Sequence, residues 1–196
     1  AIFDADAIFA REVLGLTDPI ATISPFVLDF EQQARLLTGE LKDAHKSVLA
    51  AFRTLKKKDF VIIGGAGDLF DGALTGLDAL SLAEAMKAHI LFVEPWRGDA
   101  SLDALYGAAK LFGNRFAGAV LNKVPEAAKS RVKQEIKPFL LKKDVKLFGV
   151  FPRDRFLESV TVRQLNEILN GRILSGETRL DESVENFLIG AMDVDS

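Results

Sequence analysis

Hydrophobic residues fall along this chain in two patterns that alternate. Four short runs are continuously apolar, and between them apolar residues recur with helical spacing. A continuous run is typical of a strand that is covered on both faces, as in a parallel sheet packed between helices. The pattern therefore predicts an α/β fold with a doubly wound, mainly parallel sheet and right-handed crossovers. The four predicted strands are Phe60–Ile63, Ile90–Val93, Ala119–Leu121 and Leu147–Phe151.

Helical spacing and cap residues predict the elements around these strands. Gly15 and the Thr38-Gly39 pair are expected to end helices, because glycine readily adopts the left-handed conformation of a helix C-terminus. Thr161 is expected to cap a helix at its N-terminus. The predicted helices are Asp6–Leu14, Glu31–Leu55 with a break, Ser81–Lys87, Ser101–Phe112, Ala127–Leu141 and a last one that ends at Leu169; Ile20–Ile23 and Arg172–Leu174 are predicted as short strands.

The alternation of strands and helices stops after Phe156, which predicts a domain boundary there. Residues 1–156 form the predicted α/β domain. Residues 157–196 form a short α+β piece, which is too small for a comfortable core of its own.

Composition narrows the classes of function. The 196 residues are 48% hydrophobic and 27% charged, and the net charge of −3 argues against a nucleic-acid-binding protein. The chain has no cysteine, which excludes disulfides and thiol catalysis and is compatible with the reducing cytoplasm, where we expect the protein. No apolar run reaches the ~18 residues of a membrane span. Because the chain opens on Ala1 and not on Met, we expect further residues before it in the natural protein.

A glycine-rich segment follows the first predicted strand. Ligands of parallel sheets bind beyond the carboxyl ends of the strands, so Gly64, Gly65 and Gly67 could let the backbone approach a phosphate or a small acid. The alternative is a tight turn. A dinucleotide site is a further alternative, with Glu94 as the ribose-binding acid, but Phe70 stands where the fingerprint needs its third glycine. No G-x-x-x-x-G-K-[ST] motif occurs in the chain.

Four motifs, in this order, resemble those of one enzyme family. They are Asp6-Ala7 followed by Ser24-Pro25, then Asp59–Asp68, Gly118–Val124 and Leu147–Pro152. With them the chain resembles the dethiobiotin synthetase and cobyrinic acid a,c-diamide synthase group of P-loop ATP-dependent enzymes. It is most similar to the form fused to the N-terminus of some phosphate acetyltransferases, where a DRTGG domain follows. Ser159–Val162 and Asn186–Met192 resemble the opening of that domain, which suggests that 157–196 is its start.

The resemblance implies a nucleotide site at the strand ends. In it, Asn122 bonds an adenine edge beside Lys123, and Pro152 and Arg153 close the other side of the base. An amide suits this role because it offers a donor and an acceptor. The alternative is an asparagine that ends a strand by bonding its own backbone.

The resemblance also implies a magnesium site of which this chain carries only part. Asp6 matches the family's metal-binding aspartate, with the first-turn acid of a helix as the alternative. Gly64 stands where the family has a glutamate ligand, and the family's first strand and phosphate loop have no counterpart. ATP and Mg²⁺ are therefore possible cofactors of the full-length protein, and neither is expected to bind this chain tightly.

Three functions remain open. The first is a regulatory domain that binds a nucleotide or small molecule with an incomplete catalytic site. The second is an ATP-dependent ligase of the same family whose phosphate loop lies upstream. The third is an interaction module that dimerises, with an apolar stripe at Leu102, Leu105 and Leu111-Phe112 as its surface. We expect a small-molecule or nucleotide ligand and a homodimer, with no nucleic-acid or membrane partner.

Overall fold

A computed structural model describes residues 3–65, 67–154, 157 and 159–184 of the chain. The helices are α1 (Ala5–Val13), α2 (Ile20–Ile23), α3 (Phe30–Leu37), α4 (Ala44–Leu55), α5 (Ala79–Met86), α6 (Ala100–Phe112), α7 (Lys129–Arg131), α8 (Lys137–Leu141) and α9 (Val162–Leu169). The strands are β1 (Ile90–Pro95), β2 (Phe116–Val124), β3 (Leu147–Pro152), β4 (Val160–Thr161) and β5 (Ser183–Val184). Short 3₁₀ segments lie at Ala73–Thr75, Gly113–Arg115, Glu126–Ala128 and Glu177–Arg179, and a π-helical turn at Val132–Ile136.

The main sheet has three parallel strands in the order β1-β2-β3, with helices flanking it. In the β2–β3 pair, Ala119 lies opposite Leu147 and Leu121 opposite Val150. The second sheet is a small antiparallel pair of β4 and β5. The α/β class is therefore confirmed, as are the last three of the four strands predicted for the main sheet.

The prediction of a strand over Phe60–Ile63 is wrong. This segment is irregular and pairs with no strand among the described residues. Phe60 is 79% exposed and Ile62 is 83% exposed, whereas a strand inside a sandwiched sheet would bury both. An apolar run becomes a strand only where a neighbouring strand can satisfy its backbone groups, and the run by itself does not show whether one is there.

Two shorter strand predictions are also wrong, for a related reason. Ile20–Ile23 forms the single helical turn α2, and Arg172–Leu174 lies outside any strand. Apolar runs of three or four residues fit either kind of element, so hydrophobicity alone cannot assign them.

Predictions that depended on local signals are confirmed. α1 ends before Gly15, which has a φ of +60° and bonds back to Glu12, and the predicted long helix breaks between α3 and α4. Thr161 caps α9 in a reciprocal capping box: its hydroxyl accepts a hydrogen bond from Gln164 N, and Gln164 Oε1 accepts one from Thr161 N. The segment Asn186–Met192 lies outside the described residues, so the DRTGG-like region remains a prediction.

The chain divides into two compact units. One contains Ala1–Phe92 and Gly107–Gly118, and the other contains Val93–Tyr106 and Ala119–Ser196. In the second unit, Leu121 and Val124 of β2 are completely buried, as are Val132 and Val145, while Leu140 of α8 is 1% exposed. These aliphatic side chains form the core that holds β2 and β3 against the helical connection between them.

In the first unit, α2 contacts both α1 and α4, and Ala44 and Ala83 are buried. The rings of Phe92 and Phe112 are 6.5 Å apart, within the range of favourable aromatic pairs. Phe112 is therefore a core residue, and Leu105 in the second unit is completely buried too. Two residues of the predicted apolar stripe of α6, Leu105 and Phe112, are thus in the core, whereas Leu102 is half-buried and Leu111 is 41% exposed. The homodimer remains a prediction. Within the described residues, no helix has the length and apolar character to cross a membrane.

The N-terminal cap of α5 predicts how stability depends on pH. Asp78 accepts hydrogen bonds from Ser81 N at 3.0 Å and Ser81 Oγ at 2.6 Å. Partial burial alone would raise the pKa of Asp78, but the hydrogen bonds from Ser81, together with those from the backbone at Asp78 and Leu80, outweigh it and lower that pKa below its usual value. Because the folded pKa is lower than the unfolded one, the stabilisation is present above the unfolded pKa and is lost as pH falls through the folded pKa.

We expect Asp78→Ala to lower the free energy of unfolding by about 1 kcal/mol at pH 7, as loss of a helix cap does. The difference in the free energy of unfolding between this variant and the parent protein should become smaller below about pH 4, where the carboxyl becomes protonated. Chemical unfolding at several pH values measures this gap. Asp59→Ala is the control, since Asp59 is exposed and caps no helix. A gap that stays constant from pH 7 to pH 3 would show that the charge of Asp78 contributes nothing.

Candidate functional site at the strand ends

Two backbone hydrogen bonds join the segments that follow the three parallel strands. Trp96 N donates to Asn122 O at 2.8 Å, and Arg153 N donates to Val124 O at 3.0 Å. The chain after β1 is thereby held beside the end of β2, and the chain after β3 is held on the other side of it. Four predicted site residues, Asn122, Lys123, Pro152 and Arg153, are therefore neighbours at one edge of the sheet.

The end of β2 has an irregular backbone. The β2–β3 register shifts between Leu121 and Val124, and Lys123 has a φ of +56°, in the left-handed region that favours glycine. Asn122 Oδ1 accepts a hydrogen bond from Lys123 N at 2.9 Å, which supports this conformation. The amide of Asn122 thus bonds the neighbouring backbone, and its role in a nucleotide site remains a prediction. The same oxygen can accept a second hydrogen bond, and the amide nitrogen is a donor.

A buried carboxylate organises the end of β1. Glu94 is 3% exposed, and its Oε1 accepts hydrogen bonds from Arg97 Nε at 3.0 Å and Nη2 at 2.6 Å. Ser101 is completely buried, and its hydroxyl accepts from Arg97 N at 2.8 Å and donates to Pro95 O at 3.1 Å. Glu94 is therefore committed to Arg97, which does not favour the ribose-binding role of the dinucleotide alternative.

A second ion pair joins the segment after β1 to the segment after β2. Asp99, just before α6, pairs with Arg131 through two contacts, Oδ1–Nη1 at 2.9 Å and Oδ2–Nη2 at 3.2 Å. The hydrogen bond to Asp99 and its charge raise the pKa of Arg131 above its usual value. Arg131 ends α7, and the π-helical turn Val132–Ile136 follows at once. Asp99 is thus occupied by an internal partner, and this pair fixes the start of α6 relative to the β2–β3 connection.

The side chains at this edge suit an anionic, flat ligand. Lys123 and Arg153 are cations on the exposed side, and the half-buried Trp96 offers an aromatic surface. Cations attract phosphate or carboxylate groups, and an indole ring can stack on a base or another planar group.

The remaining predicted site residues belong to the other unit. Gly64, Gly65 and Gly67 are exposed, and the segment before them is not a strand, so the topological reason for placing a ligand there no longer applies. Neither Gly64 nor Gly65 has a positive φ, and a Cβ added to either would meet no atom within 4 Å. The packing of the chain therefore does not require glycine at these two positions.

Asp6 lies in the first turn of α1 and is exposed. This is the position at which a carboxylate is stabilised by the helix dipole, so the local structure accounts for an acid there without a metal. Across the described ranges, no group of three or more His, Cys, Asp or Glu side chains is arranged to hold a metal ion. The metal-binding role of Asp6 remains a prediction.

From the sequence alone, Arg97 and Arg131 had no role at this edge, and Ser101 was placed only at the start of a predicted helix. One signal was available: Glu94 is an acid inside an otherwise apolar strand, and a buried carboxylate needs a nearby cation. Arg97, three residues later, is the nearest cation in the sequence. The Asp99–Arg131 pair spans 32 residues, and no local pattern indicates it.

Comparison with known proteins adds no family and no related structure. No model of a protein family matches the chain, and no solved structure matches it.

Proposed function

We propose that this chain is a nucleotide- or small-ligand-binding domain of the doubly wound, P-loop NTPase-like type, with a regulatory role and an incomplete catalytic site. The observation that carries the proposal is the pair of hydrogen bonds from Trp96 to Asn122 and from Arg153 to Val124. They gather three strand ends at one edge of a parallel sheet, which is where ligands of such sheets bind.

The residues at this edge support a nucleotide as the ligand. Trp96 would stack on the base, the amide of Asn122 would bond its edge, and Lys123 and Arg153 would attract the phosphates. The resemblance to dethiobiotin synthetase-like enzymes assigns Asn122, Lys123, Pro152 and Arg153 to the same ligand. Gly64, Gly65 and Gly67 belong to the proposal only through that resemblance.

Catalysis is not proposed, because phosphoryl transfer needs a phosphate cradle and a bound metal. The sequence has no G-x-x-x-x-G-K-[ST] motif, and Gly64 replaces the metal-binding glutamate of the family it resembles. In tight nucleotide sites, backbone amides at a helix N-terminus hold the phosphates and supply much of the binding energy. We therefore expect the dissociation constant for ATP with Mg²⁺ to be above about 10 μM.

Titration of the chain with ATP and Mg²⁺ tests the proposal, with backbone and indole NMR signals and calorimetry as readouts. We expect shifts at Trp96, Asn122, Lys123 and Arg153, and we expect Asn122→Ala to weaken binding by about fivefold, since loss of a hydrogen bond has an effect of that size. Asn114→Ala is the matched control, because Asn114 is exposed in the Gly113–Arg115 turn.

Three results would contradict the proposal. The first is the absence of shifts at the strand ends with any adenine nucleotide at about 5 mM, a concentration that would detect even a millimolar site. The second is a submicromolar dissociation constant, which would show a complete phosphate site. The third is steady ATP turnover, which would favour the ATP-dependent ligase instead.

A further inference from the structure

The first compact unit contains a cavity of about 570 Å³ among α2, α3 and α4. Its apolar wall includes Phe26, Val27 and Leu41, and its polar wall includes Gln32 and Arg35 of α3. Pockets that take small organic molecules have volumes of about 300–1,000 Å³ and combine apolar walls with a few polar groups. The volume of this open cavity lies within that range, and its lining combines apolar and polar groups.

Arg35 is the half-buried cation of this cavity. Its Nη1 donates to Gln32 Oε1 over 3.5 Å, a long hydrogen bond, and no ion pair to a described carboxylate accompanies it. Of the two acids in the lining, Asp29 already accepts a hydrogen bond from Gln32 N at 2.8 Å as the cap of α3, and Glu31, one helical turn before Arg35, is exposed. The guanidinium therefore keeps most of its donors for another acceptor, and its planar fork matches a carboxylate.

The apolar wall limits what can accompany that carboxylate. Phe26 and Val27, in the connection between α2 and α3, remain half-exposed, as does Leu41 before α4. Contact with a hydrocarbon group would remove their surface from water, which is favourable. Glu31 and Lys42 also belong to the lining, and both are exposed.

We propose that this cavity binds a small organic carboxylate with a short apolar body, in which Arg35 holds the carboxylate and Phe26, Val27 and Leu41 contact the body. No strand-end residue takes part. The site is thus separate from the proposed nucleotide site, and either can fail while the other stands.

Hexanoate and hexanamide are the probes, because they have the same hydrocarbon chain and differ in charge. We expect hexanoate to shift the amide signals of the cavity residues in saturable fashion, and hexanamide to bind about tenfold more weakly, as loss of a charge-assisted contact implies. Arg35→Gln should weaken hexanoate binding by about the same factor and leave the weaker hexanamide binding unchanged. Arg53→Gln, on the exposed surface of α4, is the control and should change neither.

A second variant tests the cavity itself. Ala21 lines the cavity on the exposed side of α2, so Ala21→Phe should narrow it and weaken the binding of both probes without disturbing the core. This variant also serves if Arg35→Gln does not fold, as thermal unfolding will show. Equal affinity for hexanoate and hexanamide, unchanged hexanoate binding in Arg35→Gln or in Ala21→Phe, or shifts scattered over the surface would each overturn the proposal. Adenine nucleotides report on the strand ends and not on this cavity, so the two proposals are tested separately.

Discussion

Leu140→Ala is expected to lower the free energy of unfolding by about 3 kcal/mol, whereas Leu141→Ala should lower it by less than about 0.5 kcal/mol. The two leucines are adjacent in α8, so helix propensity and chemistry are the same for both changes. Leu140 is 1% exposed and Leu141 is 64% exposed. Truncating a buried leucine removes packing and leaves a cavity, and truncating an exposed one does neither.

Urea unfolding followed by circular dichroism measures both values, and each variant is the other's control. Equal losses would show that α8 does not pack on the sheet through Leu140. A larger loss at Leu141 would show that the helix presents its other face to the core. Either result would contradict the core described for the second unit.

Arg97→Met is expected to lower the free energy of unfolding by about 2 kcal/mol at pH 7. The change leaves the Glu94 carboxylate, whose side chain is 4% exposed, without the two hydrogen bonds it accepts from Arg97. Removing one partner of a fully buried ion pair costs about 3–5 kcal/mol. The Arg97 side chain is 59% exposed, so water partly screens this pair and the smaller figure is expected.

A double variant separates the burial of a charge from the loss of a contact. Glu94→Gln together with Arg97→Met should recover most of the lost stability, because a neutral amide costs less to bury than an unpaired carboxylate. Arg131→Met is the control: it breaks the exposed pair with Asp99 and should cost less than about 1 kcal/mol. If the double variant were no more stable than Arg97→Met, the charge of Glu94 would not be the cause.

The strand β1 was predictable because Ile90–Val93 is a continuous apolar run, and it formed because β2 lies beside it to satisfy its backbone groups. Glu94, which follows this run, indicated a buried ion pair, since an isolated buried charge is unfavourable. Which cation pairs with Glu94, and that Ser101 holds the same loop, depends on how the backbone turns after Pro95.

The candidate site at the strand ends was also predictable only in part. Asn122 and Arg153 were predicted as neighbours because the carboxyl ends of adjacent parallel strands meet at one edge. The glycines at 64, 65 and 67 were placed at that edge by the same rule, but the rule requires a strand before them. Phe60–Ile63 has the apolar sequence of a strand and lacks a paired neighbour among the described residues. The cavity beside Arg35 had no signal in the sequence, since its walls come from three separate helical segments and their connections.

The sequence by itself determined the elements whose signals are local: the ends of α1, α3 and α9, the cap at Thr161 and three apolar strands. Helix caps, glycine turns and hydrophobic spacing act between residues that are close in the chain, so the order of residues is enough to predict them. Only the tertiary structure decided which apolar run is paired, which charge is neutralised and where a cavity remains. Each of these depends on contacts between distant segments, and the free energy of such contacts is set by geometry that no short stretch of sequence contains.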